Sequence, residues 1–268
     1  MQYRRDPITG DWIIINQSPA FNQKPGLINY VSDNFTADDD LPGTVLYIED
    51  GFSYTDTTNQ VQIENFFRCY MKRINSLKQN HEQIFITNIL KPHCSDGLSK
   101  MPSEIFFAPS KKDYTAKYLE EPFKFFEKQK RCSWCDTVKN ELKYNERLIF
   151  EKNGYVVFEP FAPRFPFETI IIPATHTPTF DMVSDNELAG LADVCHTIFR
   201  AIKKATCDSD FSLNIENVSI DSDQHAFSHW NIHIIPWMNN WAGFEVATGM
   251  NINVTTPESC AEFIREII

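Results

Sequence analysis

Long apolar runs are missing from this 268-residue chain. No stretch approaches the roughly 18 residues that a membrane span needs. The opening segment MQYRRDPITGDWIIINQ offers only Trp12 to Ile15 as consecutive apolar residues, well short of a secretory core. A cytoplasmic protein with no membrane partner is therefore expected. Positive charge is also scarce: 25 Lys and Arg stand against 36 Asp and Glu, a formal net charge of -11. The basic residues are dispersed, so the clustered cationic surface that a nucleic-acid duplex requires is lacking and no nucleic-acid partner is expected. A small phosphorylated ligand needs only a local positive site. The seven cysteines form an odd set without a regular framework, which argues against a disulfide scaffold. No low-complexity tract is present.

What remains is a chain rich in core-forming residues. It is 42% hydrophobic, with 22 Phe and 9 Tyr, enough for one large domain or two of roughly 120 to 150 residues. Short apolar runs bounded by turn residues predict strands at Trp12 to Ile15, Thr44 to Glu49, Gln83 to Ile89 and Glu104 to Ala108. Val61, Ile63, Phe66, Phe67, Tyr70, Met71, Ile74 and Leu77 recur at helical spacing and predict a helix between Gln60 and Gln79. Residues 110–130 are charged and contain Pro122, and they read as a solvated helical connector interrupted at that proline. The domain boundary is placed there, between 118 and 119. Further strands are predicted at Leu148 to Glu151, Tyr155 to Glu159, Glu168 to Ile172, Phe211 to Glu216 and Trp230 to Pro236. A capping box at Ser184 and Glu187 starts a helix whose apolar stripe is Leu188, Leu191, Cys195, Ile198, Phe199 and Ile202. Thr256 and Pro257 start a short terminal helix. Both halves follow one order, strands then a long amphipathic helix then two strands, which hints at a duplication.

Cys132-Ser-Trp-Cys135 places two thiolates on one tight turn, which suits two corners of a zinc tetrahedron; a surface thiol pair or a redox motif is the plainer alternative. Two more ligands are needed. His176 follows one predicted strand and His229 opens another, so adjacent strands would aim both imidazoles at the turn. The other five cysteines, Cys69, Cys94, Cys195, Cys207 and Cys260, read as small apolar residues. His229, Asn231 and His233 share one face of their strand as His-x-Asn-x-His. His225, His196, His93 and His81 have no motif around them.

The order Cys-x-x-Cys, Pro-x-x-His, then His-x-x-x-His resembles the zinc-bearing histidine-triad fold. RFPFETIIIPATH, HWNIHIIP, AGFEVATGMNINVTTPE and the opening RRDPITGDWIIINQSP resemble the galactose-1-phosphate uridylyltransferase family. The resemblance implies an α+β chain of two histidine-triad-like halves, residues 1–118 and 119–268, each an antiparallel sheet with a long helix. It implies zinc on Cys132, Cys135, His176 and His229, and a homodimer that handles a nucleotide sugar or a sugar 1-phosphate. His233 matches a position that binds a second metal in some members; a core or hydrogen-bonding histidine is the other reading. In that family the C-terminal copy of the triad strand is not the reacting one, and some members carry Gln where Asn231 stands.

The reacting copy in those transferases is a His-Pro-His-x-Gln strand whose central histidine takes the nucleotidyl group covalently. Here Lys100-Met101-Pro102-Ser103-Glu104 aligns with it, so Pro102 occupies the nucleophile position and no catalytic residue is assigned. Cysteines before Cys69 are missing, so the zinc site often found in the first half is missing too. Lys24 remains as the cation of a phosphate-contacting loop, Lys100 is a replacement charge or a solvated lysine, and Phe244 and Glu245 match a segment that reaches the partner subunit's substrate. The expected function is a nucleotidyltransferase relative that binds a nucleotide sugar or sugar 1-phosphate with impaired or lost chemistry. The alternative is a non-catalytic, zinc-stabilised binding or scaffold protein.

Overall fold

The structure is a computed structural model that describes residues 59–78, 112–209, 211–217, 225–238, 243–248 and 250–268, together with short strands at 2–5, 12–15, 44–47, 84–89 and 104–109. The architecture is α+β. Strands β1 (Gln2–Arg5) and β2 (Trp12–Ile15) form an antiparallel pair. After β3 (Thr44–Tyr47) and helix α1 (Gln60–Lys78) come β4 (Ile84–Ile89) and β5 (Glu104–Pro109), which complete an antiparallel sheet in the order β3-β5-β4. Helices α2 (Lys112–Gln129) and α3 (Ser133–Tyr144) then lead into a second sheet. Its strands are β6 (Leu148–Lys152), β7 (Tyr155–Phe158), β8 (Thr169–Pro173), β9 (Phe211–Glu216) and β10 (Asn231–Pro236), ordered β6-β7-β8-β10-β9 and antiparallel throughout. Helix α4 (Asp185–Ala205) links β8 to β9, and α5 (Gly243–Thr248) and α6 (Pro257–Ile267) follow β10.

The period-two alternation of strand side chains divides this second sheet into two faces. Tyr155, Val157, Ile171, Leu213, Ile215, Ile232 and Ile234 enter the larger core, where they meet Leu188, Leu191, Cys195, Ile198 and Ile202 of α4 and Ile63, Phe67, Tyr70 and Ile74 of α1. Val156, Phe158, Ile170 and Ile172 point the other way, onto Trp134, Val138 and Leu142 of α3. Both faces of β7 and β8 are therefore covered, which is why these strands read as unbroken apolar runs. On β10 the alternation puts Ile232 and Ile234 in the larger core and leaves Asn231 and His233 on the α3 side.

Local chemistry sets the element ends. Ser184 and Glu187 form the expected capping box, with the Ser184 amide donating to Glu187 Oε2 at 2.7 Å and the Glu187 amide to Ser184 Oγ at 3.4 Å. Thr256 caps α6 through the Ser259 amide, with Pro257 following it. The β6–β7 hairpin turns on Asn153 (φ 53) and Gly154 (φ 79), the left-handed pair that matches strand twist.

Four expectations need correction. Helix α2 runs through Pro122 without a break: Phe123 and Phe126 rest on Phe227, at ring separations of 5.4 and 5.8 Å, and hold it against the body of the protein. The two zinc-candidate cysteines do not sit on an isolated turn but at the start of α3, a helix the apolar pattern did not announce; Asn145, at φ 55, ends it in the left-handed conformation that asparagine tolerates. Of the five cysteines expected in apolar surroundings, Cys195 and Cys260 are buried, Cys69 and Cys207 are exposed, and Cys94 lies outside the described residues. Val61, counted on the apolar face of α1, is exposed at the helix start.

Candidate metal centre and adjoining cavity

Antiparallel pairing of β8 with β10, Ile171 opposite Ile232, brings the end of one strand beside the start of the other. His176 lies just beyond β8 and His229 just before β10, and the Trp230 amide donates to the Thr177 carbonyl at 3.2 Å, tying the two segments together. The start of α3 lies against this corner, with the Cys132 thiol directed at the Phe227 carbonyl. Four donor atoms, one each from Cys132, Cys135, His176 and His229, fall within 4.8 Å of one another. Cys135 Sγ is 3.2 Å from His176 Nδ1 and 3.7 Å from His229 Nδ1. A tetrahedral ion with sulfur at about 2.3 Å and nitrogen at about 2.05 Å would space S and N about 3.5 Å apart, so the group has the dimensions of a closed site.

The surrounding hydrogen bonds suit ligation. His176 Nε2 donates to the His225 carbonyl at 2.9 Å, which places the proton on Nε2 and leaves the Nδ1 lone pair directed at the cysteines. The Cys135 thiol, donating to Cys132, pulls the Cys132 pKa down to about 4 against the opposing effect of burial, with His229 adding to the shift. Cys135 is pushed up by the same sharing. A divalent cation held by these residues would supply the positive charge that favours both cysteines as thiolates. A metal on these four residues would pin α3 to the β8 and β10 ends, leaving no coordination position open for chemistry.

Beside this group, between the sheet and helices α2 and α3, lies a cavity of about 730 Å³. Its floor is the polar face of β10, with His229, Asn231 and His233 all nine-tenths buried or more. His233 did not turn out as part of a described metal group. Its Nδ1 lies within hydrogen-bond reach of Glu168 Oε1 at 3.3 Å, while its Nε2, 3.6 Å from Glu216 Oε1, makes no hydrogen bond among the described residues. Burial raises the pKa of Glu168, but the bonds from His233 and Arg164 outweigh it and hold the carboxyl below its ordinary range. Asn231 Nδ2 donates to the His229 carbonyl at 3.3 Å, while Asn231 Oδ1 and Ser228 Oγ have no partner among the described residues. Trp134 stands in the wall with Lys128, while Lys124 is paired with Glu120 and Glu121 and Arg164 with Glu168.

Sequence reasoning named the metal group and the β10 face but missed Trp134, Arg164, Glu168 and Glu216. Trp134 sits inside the Cys-x-x-Cys motif. The register that sets Glu216 opposite Asn231 was the signal for the carboxylates, and it exists only once strands are paired. Of the residues expected to contact substrate, Lys24 and Lys100 lie outside the described residues, as does Pro102. Phe244 and Glu245 fall in α5, where Phe244 is 47% exposed, and neither is among the described residues lining the cavity.

Fold and site together define an α+β protein of antiparallel sheets packed on long helices, with a Cys2His2 group at the ends of β8 and β10. No family model matches the chain. It is 28% identical over 211 residues to the ADP-glucose phosphorylase of Arabidopsis thaliana, covering 77% of this chain and 59% of that protein, so it spans less than two thirds of that relative. It is 25% identical over 223 residues to the galactose-1-phosphate uridylyltransferase of Thermotoga maritima, covering 76% of this chain and 67% of that protein. The crystal structure of the Arabidopsis ADP-glucose phosphorylase with bound ADP-glucose superposes with a TM-score of 0.71 at 23% identity, over 100% of this chain and 99% of that one. A uridylyltransferase structure gives 0.75 at 17% identity, over 100% and 98%. At such identities the solved structures speak for the fold. In sequence, the chain is similar to ADP-glucose phosphorylase and to galactose-1-phosphate uridylyltransferases.

Proposed function

We propose that this chain is a cytoplasmic nucleotidyltransferase relative that binds a nucleotide sugar or a sugar 1-phosphate, with transferase chemistry impaired or lost. The observation that carries the second part is the commitment of both histidines that line the cavity. His229 points Nδ1 at Cys135, and His233 bonds through Nδ1 to Glu168 with Glu216 beside its other nitrogen. Asn231, between them, offers an amide where attack on phosphorus needs an imidazole lone pair. In the first half, Pro102 stands at the aligned nucleophile position and has neither a side-chain nucleophile nor a backbone N–H. Kinship with an ADP-glucose phosphorylase and with uridylyltransferases supports the ligand class.

In this reading Cys132, Cys135, His176 and His229 hold zinc, which stabilises the fold and takes no part in a reaction. Lys24 and Lys100 supply phosphate contacts, and Phe244 and Glu245 serve a homodimer interface or its substrate. The halves 1–118 and 119–268 descend from one ancestral unit. Incubation with radiolabelled UDP-glucose or ADP-glucose should leave no acid-labile label on the protein, while equilibrium dialysis detects binding. Stoichiometric label that disappears in a His93→Ala or His233→Ala variant would overturn the lost-chemistry reading. A mass of about 31 kDa by light scattering at micromolar concentration would exclude the dimer.

A further inference from the structure

The proposed function gives Cys132 and Cys135 a structural part only and leaves their redox chemistry unused. Cys132 is the N-cap of α3, extended at φ -71 and ψ 130, and Cys135 is the third residue of the helix. A Cys-x-x-Cys pair across a helix start is the arrangement of thiol–disulfide chemistry. The two sulfurs lie within 4.8 Å of each other, a gap that side-chain rotation and a small backbone shift close to the 2.05 Å or so of a disulfide. Access to the pair is graded. Cys132 is buried, whereas Cys135 is half-buried. A small oxidant therefore meets Cys135 first, with Cys132 behind it as the resolving thiol, the pairing that redox-responsive cysteines use. Cys69 and Cys207 are exposed but stand far from any Cys-x-x-Cys spacing.

We propose that Cys132 and Cys135 form a reversible oxidation site that takes a hydroperoxide and closes to a disulfide, loosening the start of α3 and moving Trp134. Cys135 sulfur attacks a peroxide oxygen, the O–O bond breaks, and the leaving oxygen takes a proton as an alcohol, or as water for hydrogen peroxide. Cys132 sulfur then attacks the sulfenic sulfur of Cys135 and expels hydroxide, which takes the second thiol proton. Two thiols and one hydroperoxide thus give one disulfide, one alcohol and one water, and the two electrons lost by sulfur pass to the peroxide oxygens. A tetrahedral ion would hold its two sulfurs about 3.8 Å apart, against about 2.05 Å in a disulfide, so the first turn of α3 has to tighten. The donor set falls to the imidazoles of His176 and His229, too few for a closed zinc site. Cys132 also loses the proton that it directs at the Phe227 carbonyl. Val138 and Leu142, further along α3, keep their apolar contact with the sheet, which confines the change to the first turn. Trp134 lies in that turn, with its ring 6.4 Å from that of His233, and carries the change to the cavity wall. The loss of metal rests on the zinc reading given above; the disulfide does not.

The test uses full-length protein carrying fluorotryptophan, in which a Trp134→Phe variant assigns the Trp134 fluorine resonance and the other four of the five tryptophans serve as controls. About one equivalent of hydrogen peroxide should lower the mass of the peptide containing residues 132–135 by about 2 Da and shift the Trp134 resonance. It should also release about one zinc per chain to a chromophoric chelator, and dithiothreitol with added zinc should reverse all three changes. Cys69 and Cys207 should be oxidised at least about tenfold less in the same sample. Cys132→Ser should leave Trp134 unmoved by peroxide; because that variant loses a ligand and some stability, the parent's own peptide mass decides the matter if it does not fold. The proposal is overturned if the pair stays reduced while Cys69 or Cys207 is oxidised, or if it passes to sulfinic acid that dithiothreitol does not reverse. It is also overturned if the disulfide forms and Trp134 does not move. A parent that carries no zinc yet forms the disulfide and moves Trp134 supports the oxidation site and overturns the zinc reading. A zinc-bearing parent whose cysteine pair resists peroxide overturns the oxidation site and leaves the zinc reading standing.

Discussion

Replacing Cys135 with serine tests the metal centre most directly. Cys135 Sγ lies 3.2 Å from His176 Nδ1 and 3.7 Å from His229 Nδ1, and a serine hydroxyl is a poor zinc ligand at neutral pH. The metal would close a span of 41 residues between Cys135 and His176 and one of 94 between Cys135 and His229. Treating the first as a cross-link, the chain entropy removed from the unfolded state is worth about 4 kcal/mol at 25 °C. Structural zinc contributes about 10 to 16 kcal/mol of apparent binding free energy in small domains, so 4 kcal/mol is a conservative figure. For a protein of this size each kcal/mol moves Tm by about 2 to 4 °C, so Cys135→Ser should melt roughly 8 to 16 °C below the parent. Mass-spectrometric metal analysis of protein purified without added zinc should give about one zinc per chain in the parent and a loss in the variant. A fully folded parent without metal, with Tm indifferent to chelator and to Cys135→Ser, would refute the reasoning.

Arg147 joins α3 to α6, with Nη2 at 2.7 Å from Glu141 and Nη1 at 3.0 Å from Glu258; Glu141 is 3% exposed. Arg147→Leu should cost about 3 to 5 kcal/mol in urea unfolding by leaving the Glu141 carboxylate buried and unpaired, and Arg147→Leu with Glu141→Leu should recover most of it. Burial, with Glu168 nearby, pushes the Glu159 pKa well above its ordinary 4.5. Its ionisation therefore opposes folding, with a penalty that is absent below the unfolded pKa and grows as pH rises toward the folded one. Glu159→Gln should accordingly raise Tm at about pH 7 and give no gain at about pH 4; equal Tm values at both would count against a buried acid. Ser184→Ala removes the α4 cap and should cost about 1 kcal/mol in the same urea assay.

The sequence by itself determined the elements whose burial is one-sided or complete: α1 and α4 from a 3.6-residue apolar stripe, and β7 and β8 from unbroken apolar runs. It also pointed to the four residues that could hold a metal, because Cys132 and Cys135 are local in sequence and His176 and His229 sit at strand ends that antiparallel pairing brings together. The two cap sites, Ser184 and Thr256, were legible for the same reason, since a cap bonds only to residues within one turn. Helix α3 was not legible. Its buried side is narrow, Trp134, Val138 and Leu142, and it is stabilised by packing on the sheet more than by its own pattern. Only the tertiary structure decided that Asn231 and His233 face a cavity rather than a core, and that Glu168 and Glu216 flank His233. Strand periodicity assigns a residue to a face, but what covers that face depends on α2 and α3, which precede Asn231 and His233 by more than 80 residues and whose placement no local spacing encodes.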